Sequence, residues 1–125
     1  MLMKLILLCL GGAAGTLARY GLDGAAHRTI GQGFPYGTMV VNLLGCFLLG
    51  FFVSVYNGPF ALDHRFKFFF MVGFCGAFTT FSTFILQTAE LVEEKMLMLA
   101  ALNVGISLLA GLVLFVVGLK LGKLL

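Results

Sequence analysis

Four long apolar runs, parted only by short polar interruptions, fill almost the whole of this chain of 125 residues. One membrane crossing takes about 20 mostly apolar residues, so a chain of this length holds at most four with tight connections. The polar cover a soluble fold would need is missing. Hydrophobic residues make up 61% of the chain and charged ones 10%, against about 25% charged in ordinary soluble domains. A water-soluble fold of this size could not hide so much apolar surface, which excludes a soluble enzyme and a disordered segment. The net charge of +3 is spread over ends and loops, without the basic patch that nucleic acid requires. The sequence therefore predicts an all-α integral membrane protein lying in a lipid bilayer. It forms one domain over 1–125, with spans at about 2–22, 35–56, 68–91 and 96–119.

Polar residues punctuate the runs. Met1 to Leu10 has the look of a signal peptide, but the apolar character continues through Gly11 and Gly12 to Leu17, long enough for a first span. A connection is expected from Asp23 to Gln32, holding His27 and Arg28; Pro35 opens the second span, and Asn57-Gly58-Pro59 closes it. The next loop carries Asp63, His64, Arg65 and Lys67, and Glu93, Glu94 and Lys95 end the third span. Four crossings place Lys4, Arg65, Lys67, Lys120 and Lys123 on one side, and Arg19, Arg28 and Lys95 on the other. So slight a bias fits an ordinary topology with cytoplasmic termini, or a chain that inserts both ways and pairs with its inverted copy.

Four short helices enclose little beyond their own side chains, so a transport pathway calls for a second subunit. Among the 17 glycines, Gly11 with Gly15 and Gly118 with Gly122 have the small-xxx-small spacing that lets helix backbones approach, a feature that supports an oligomer. Cys9, Cys46 and Cys75 lie far apart inside apolar runs and read as packing residues.

The third run is the least uniform. Gly73 and Gly76 precede Thr79, Thr80, Ser82 and Thr83 near its centre, and a broken helix is expected there in preference to a kinked one. A break frees backbone groups at membrane depth, tolerated only inside protein or beside an aqueous path. Freed carbonyls suit a small hard cation; amides and hydroxyls suit an anion. Phe81 and Phe84 share one helical face. Packing is the ordinary role of a phenylalanine, and for most of the 14 it is the expected one; the alternative is that the positive ring edge receives a small anion. Asn42, deep in the second span, must bond a helix or a substrate. Asn103, Ser107 and Gly111 form a stripe that bonds a neighbouring helix or lines a wet path. Arg19 either snorkels outward or lends positive potential to an anion vestibule.

No Asp or Glu stands in the central part of any span, so the intramembrane acid usual in proton-coupled transporters is missing. His27 and His64 are expected in loops, and no nucleophile–base pair or metal-ligand spacing appears. The chain is not expected to be an enzyme.

Three segments carry a resemblance. Gly11-Gly12-Ala13-Ala14-Gly15 with Arg19-Tyr20 comes first; Gly37-Thr38-Met39-Val40-Val41-Asn42-Leu43-Leu44-Gly45 follows; Gly73-Phe74-Cys75-Gly76 then leads into Thr79-Thr80-Phe81-Ser82-Thr83-Phe84. In order and spacing, over nearly the whole chain, they resemble the Fluc (CrcB) fluoride channels. The resemblance implies a dual-topology, antiparallel homodimer in the bacterial inner membrane, conducting fluoride by passive electrodiffusion. It also implies a structural Na+ at the dimer centre, held by the backbone carbonyls of Gly76 and Thr79 from each subunit. Phe81 and Phe84 would line the fluoride pathway with ring edges, Asn42 would donate hydrogen bonds, and Thr80, Ser82, Thr83 and Ser107 would form a polar track. Gln87, Asn103 and Gly111 depart from the family pattern, which often has an acid at the first and hydroxyl or tyrosine residues at the others. The rival is a small multidrug exporter, a proton-coupled transporter also built from four spans. That class depends on a first-span glutamate and typically a tryptophan, and this chain has neither. A purely structural assembly module would leave Asn42 and the third-span hydroxyls without a task.

Overall fold

In lipid, a spanning segment must pair its own backbone N–H and C=O groups, and apolar runs of this length do so as helices. The computed structural model describes residues 1–59 and 62–125. Among these it is all-helical, with four units long and apolar enough to cross a membrane. Helix α1 spans Leu2–Ile30 and α2 spans Tyr36–Tyr56. The third unit is split into α3, residues 64–78, and α4, Phe81–Glu93; α5 covers Leu97–Gly122. The chain is a multi-pass membrane protein.

Helix α1 departs most from the sequence expectation. The stretch expected as a connection after Leu22 is helical as far as Ile30. Its polar side chains turn back on their own helix. His27 Nδ1 donates to the Asp23 carbonyl at 2.9 Å, Arg28 Nε to that of Gly24 at 3.2 Å, and Thr29 Oγ1 to that of Ala25 at 2.8 Å. Ala25 and Ala26 add strong helix propensity. At about 1.5 Å per residue the helix is about 43 Å long, more than the ~30 Å hydrocarbon core, so its last turns reach the headgroup region. It stops at Gly31, whose φ of 128° favours glycine. His64 likewise is helical, opening α3, with Nδ1 3.0 Å from the Tyr56 hydroxyl. Neither histidine stands in an irregular loop.

The helices run up and down. Lys4 lies over the Phe68 ring at 5.1 Å, which brings the start of α1 beside α3, and Gly122 abuts Ser54, which brings the end of α5 beside that of α2. At the other end His27, Pro35, Glu94 and Met96 surround one cavity. Two glycine-mediated crossings hold the bundle. A Cβ on Gly11 or Gly15 of α1 would collide with the carbonyl oxygens of Phe69 or Phe74 in α3, and one on Gly50 of α2 or Gly118 of α5 with those of Phe115 or Phe47. The small-residue pairs expected to support an oligomer are therefore used within the chain, where bare backbones let helices meet at van der Waals contact. Phenylalanines fill the wider spaces, as in the Phe52, Phe66 and Phe70 cluster with centroids 4.8–5.7 Å apart.

Candidate functional site

Helix α3 loosens before it breaks. Lys67–Cys75 winds as a π-helix, a rare form that is frequent at functional sites, and the ladder ends when Thr79 N–H and Oγ1 both donate to the Cys75 carbonyl, at 3.1 and 3.0 Å. Thr79 (φ −87°, ψ 155°) and Thr80 (φ −147°, ψ 116°) are extended. The expected break is present, and Asn42 of α2 holds it. Thr80 N–H donates to Asn42 Oδ1 at 2.8 Å, and Asn42 Nδ2 donates to the Thr80 carbonyl at 3.0 Å. The amide thus replaces the ladder bond that Thr80 N–H has lost and adds a second donor to the Thr80 carbonyl, and its other N–H has no partner among the described residues. Thr80 then caps α4: its Oγ1 accepts from Thr83 N–H at 3.3 Å and donates to Thr83 Oγ1 at 3.0 Å.

The break leaves carbonyl oxygens without ladder partners. The amide that would close on the Gly76 carbonyl, Thr80 N–H, is taken by Asn42, and Thr83 N–H, which would close on that of Thr79, is taken by Thr80 Oγ1. Gly76 is exposed, and a Cβ there would meet nothing within 4 Å. Two hard oxygen donors are therefore freed of the ladder, the Gly76 one on an exposed residue, beside residues that offer no competing charge.

A cavity of about 340 Å³ opens at this point. It gathers the expected residues Asn42, Gly76, Thr79, Thr80, Phe81, Phe84 and Ser107, and every residue of its lining is neutral. Phe84 is 7% exposed and Phe81 74%; their centroids are 5.9 Å apart, tilted by 41°. Ser107 Oγ is buried without a partner among the described residues. A second cavity, about 180 Å³, holds Thr16, Arg19, Asp23 and Thr38, and shares Thr80 and adds Thr83. Thr80 thus stands between the two. Arg19 Nε and Asp23 Oδ1 are both buried without a hydrogen-bond partner among the described residues, though His27 Nδ1 stands 3.6 Å from Asp23 Oδ1, so this cavity is polar enough to retain water. Ser82 is exposed and lies outside both linings, 3.5 Å from Thr80 Oγ1.

Two residues gained roles that the sequence did not give them. Asp23, expected in a connection, faces the Arg19 cavity because α1 continues past it. Thr88 links α4 to α5: its Oγ1 donates to the Phe84 carbonyl at 2.7 Å and accepts from Asn103 Nδ2 at 2.9 Å. Asn103 is 2% exposed and takes the helix-bonding option of its two. Gln87 points away from Phe84, into the third cavity with Glu90, Glu94 and His27.

Residues 6–119 match the family model described as CrcB-like protein, Camphor Resistance (CrcB). A fluoride-specific ion channel FluC of Solidesulfovibrio magneticus is 42% identical over 125 residues, the full length of both chains. The protein of that name from Nitratidesulfovibrio vulgaris is 43% identical over 123 residues, 98% of this chain and 99% of its own. That from Methylococcus capsulatus is 42% identical over 121 residues, 97% of this chain and 53% of the longer relative.

Proposed function

This chain belongs to the CrcB-like protein family, and on that premise we propose that it is a fluoride-specific ion channel, passing fluoride by passive electrodiffusion. It is not an enzyme. The observation that carries the reading is the neutral cavity at the break, where Asn42, Thr80 and Ser107 meet Phe81 and Phe84. A small anion entering a membrane must exchange its water shell for donors and for the positive edges of aromatic rings. Among the described residues Asn42 keeps one N–H free and Ser107 keeps its hydroxyl unpaired, and the two rings offer edges. Among the described residues no carboxylate lines this cavity, so none of them serves there as the proton relay of a coupled exporter.

Phe81 and Phe84 form the selective part of the path, Asn42 and Ser107 donate along it, and Thr80, Ser82 and Thr83 continue the polar track. Arg19 supplies positive potential at the vestibule. The working unit is an antiparallel homodimer in the bacterial inner membrane, a reading supported by the smallness of the charge bias, five basic residues against three, and by the exposure of Gly76 and Phe81. Within it the Gly76 and Thr79 carbonyls hold a structural Na+. Carbonyl oxygens relieved of ladder partners suit that ion, and one chain brings two, so the partner's equivalent pair completes the set. When bound, the ion supplies positive charge at the subunit crossing.

Reconstitution tests the reading. Liposomes loaded with fluoride and holding the pure protein release it much faster than chloride, with no proton gradient applied. No fluoride release from vesicles that contain folded protein would refute it.

A further inference from the structure

Helix α4 carries both Phe81 and Phe84, yet its packing within the chain rests chiefly on α5. Two polar ties fix it. One is the Asn42 amide on Thr80 at its N-terminus. The other lies two turns on, where Asn103 Nδ2 donates to Thr88 Oγ1 at 2.9 Å and Thr88 Oγ1 donates to the Phe84 carbonyl at 2.7 Å. A threonine hydroxyl has one proton to give and two lone pairs. Here the proton goes to Phe84, and Asn103 fills a lone pair, so the direction of the chain of bonds is settled by its chemistry. It begins on a side chain 2% exposed, passes through a part-buried hydroxyl and ends on the backbone of a residue 7% exposed.

We infer that Thr88 and Asn103 are positioning residues for Phe84: they act on the pathway through its backbone, without touching the permeating ion. Thr88 lies outside the lining of the cavity that holds Phe81 and Phe84, and so does Asn103. The geometry gives them one further consequence. Rotation or sliding of α4 against α5 would break the Asn103–Thr88 bond before it disturbed the apolar contacts around it, because hydrogen bonds weaken steeply with misalignment. The pair therefore fixes the register of the ring face that α4 presents, and its loss changes both the rate of fluoride passage and the discrimination against chloride.

This inference rests on the fluoride-channel reading, and the test separates the two. Fluoride and chloride efflux are measured from vesicles holding wild type, Phe84→Ile, Thr88→Val, Thr88→Ser and the Thr88→Val/Phe84→Ile double variant, each checked for assembly by gel filtration. Thr88→Val is expected to lower fluoride efflux about threefold to fifteenfold, the span of one interhelical hydrogen bond, and to lower the fluoride-to-chloride ratio. Thr88→Ser keeps both bonds and stays near wild type. In the Phe84→Ile background Thr88→Val adds no further loss, because its target ring is gone. Wild-type flux in Thr88→Val, an equal loss in Thr88→Ser, or multiplied losses in the double variant each overturn the inference. Full flux in Phe84→Ile overturns instead the role given to that ring. Should Thr88→Val not assemble, Asn103→Leu, alone and with Phe84→Ile, takes its place with the same expected outcomes.

Discussion

Asn42 shows how far a single residue could be read from sequence. Its depth in an apolar run demanded a partner, but the partner lies 38 positions away at Thr80, a distance that no local pattern encodes. The structure makes the amide a replacement for backbone, and this separates two substitutions. Asn42→Leu leaves Thr80 N–H unpaired at membrane depth, at a cost of about 1–3 kcal/mol, and strips a second donor from the Thr80 carbonyl, so it is expected to lower the Tm in detergent together with flux. Asn42→Asp retains an acceptor for Thr80 N–H but puts negative charge on an anion path, so fluoride efflux falls further than stability does. Thermal unfolding beside vesicle flux tells them apart; equal and parallel losses in both variants would reduce Asn42 to a structural tie. Thr88 was illegible for the opposite reason. A lone threonine in a helix commonly bonds its own i−4 carbonyl, and this one does, to Phe84; only the approach of Asn103 from α5 gives the bond a second member.

Elements were legible where periodicity and breakers agreed. The break at Thr79 and Thr80 followed from four hydroxyl residues packed into five positions, and α2 begins after Pro35 as its proline implied. The end of α1 was not legible, since its polar residues resemble a turn in sequence while their side chains satisfy themselves along the helix. Glycine spacing likewise promised close approach without naming the partner, and the partners are helices of the same chain. A sharp contrast on α5 follows. Gly118→Ala drives a methyl into the Phe47 carbonyl, and backbone cannot yield as a side chain would. The expected loss is about 1–3 kcal/mol. Gly105→Ala, one helix face away, meets nothing within 4 Å and gains up to about 1 kcal/mol of helix propensity. Thermal unfolding in detergent measures both, and a destabilising Gly105→Ala would mark that face as covered by a second copy.

At the scale of the molecule, the observed packing sharpens what the charge count means. Lys4, Arg65, Lys67, Lys120 and Lys123 belong to one end of the bundle, while Arg28 and Lys95 belong to the other. Arg19 faces a cavity between α1, α2 and the break, so it weighs less in the bias that orients a chain. Membrane insertion reads lysine and arginine in short loops near the helix ends, and these loops are all short. The proposed antiparallel pair requires both orientations from one sequence, hence a balance that a few charges can tip. Asn57→Lys with Asp63→Lys makes the count seven against three and locks one orientation. Lys67→Gln, Lys120→Gln and Lys123→Gln with Gln32→Lys and Glu94→Lys makes it two against five and locks the other. Each locked chain alone is expected to insert yet conduct no fluoride, since its copies cannot cross head to tail, and co-expression of the two restores flux. Full flux from either locked chain alone would show that parallel copies, or a single chain, suffice, and that the exposed Gly76 edge has another use.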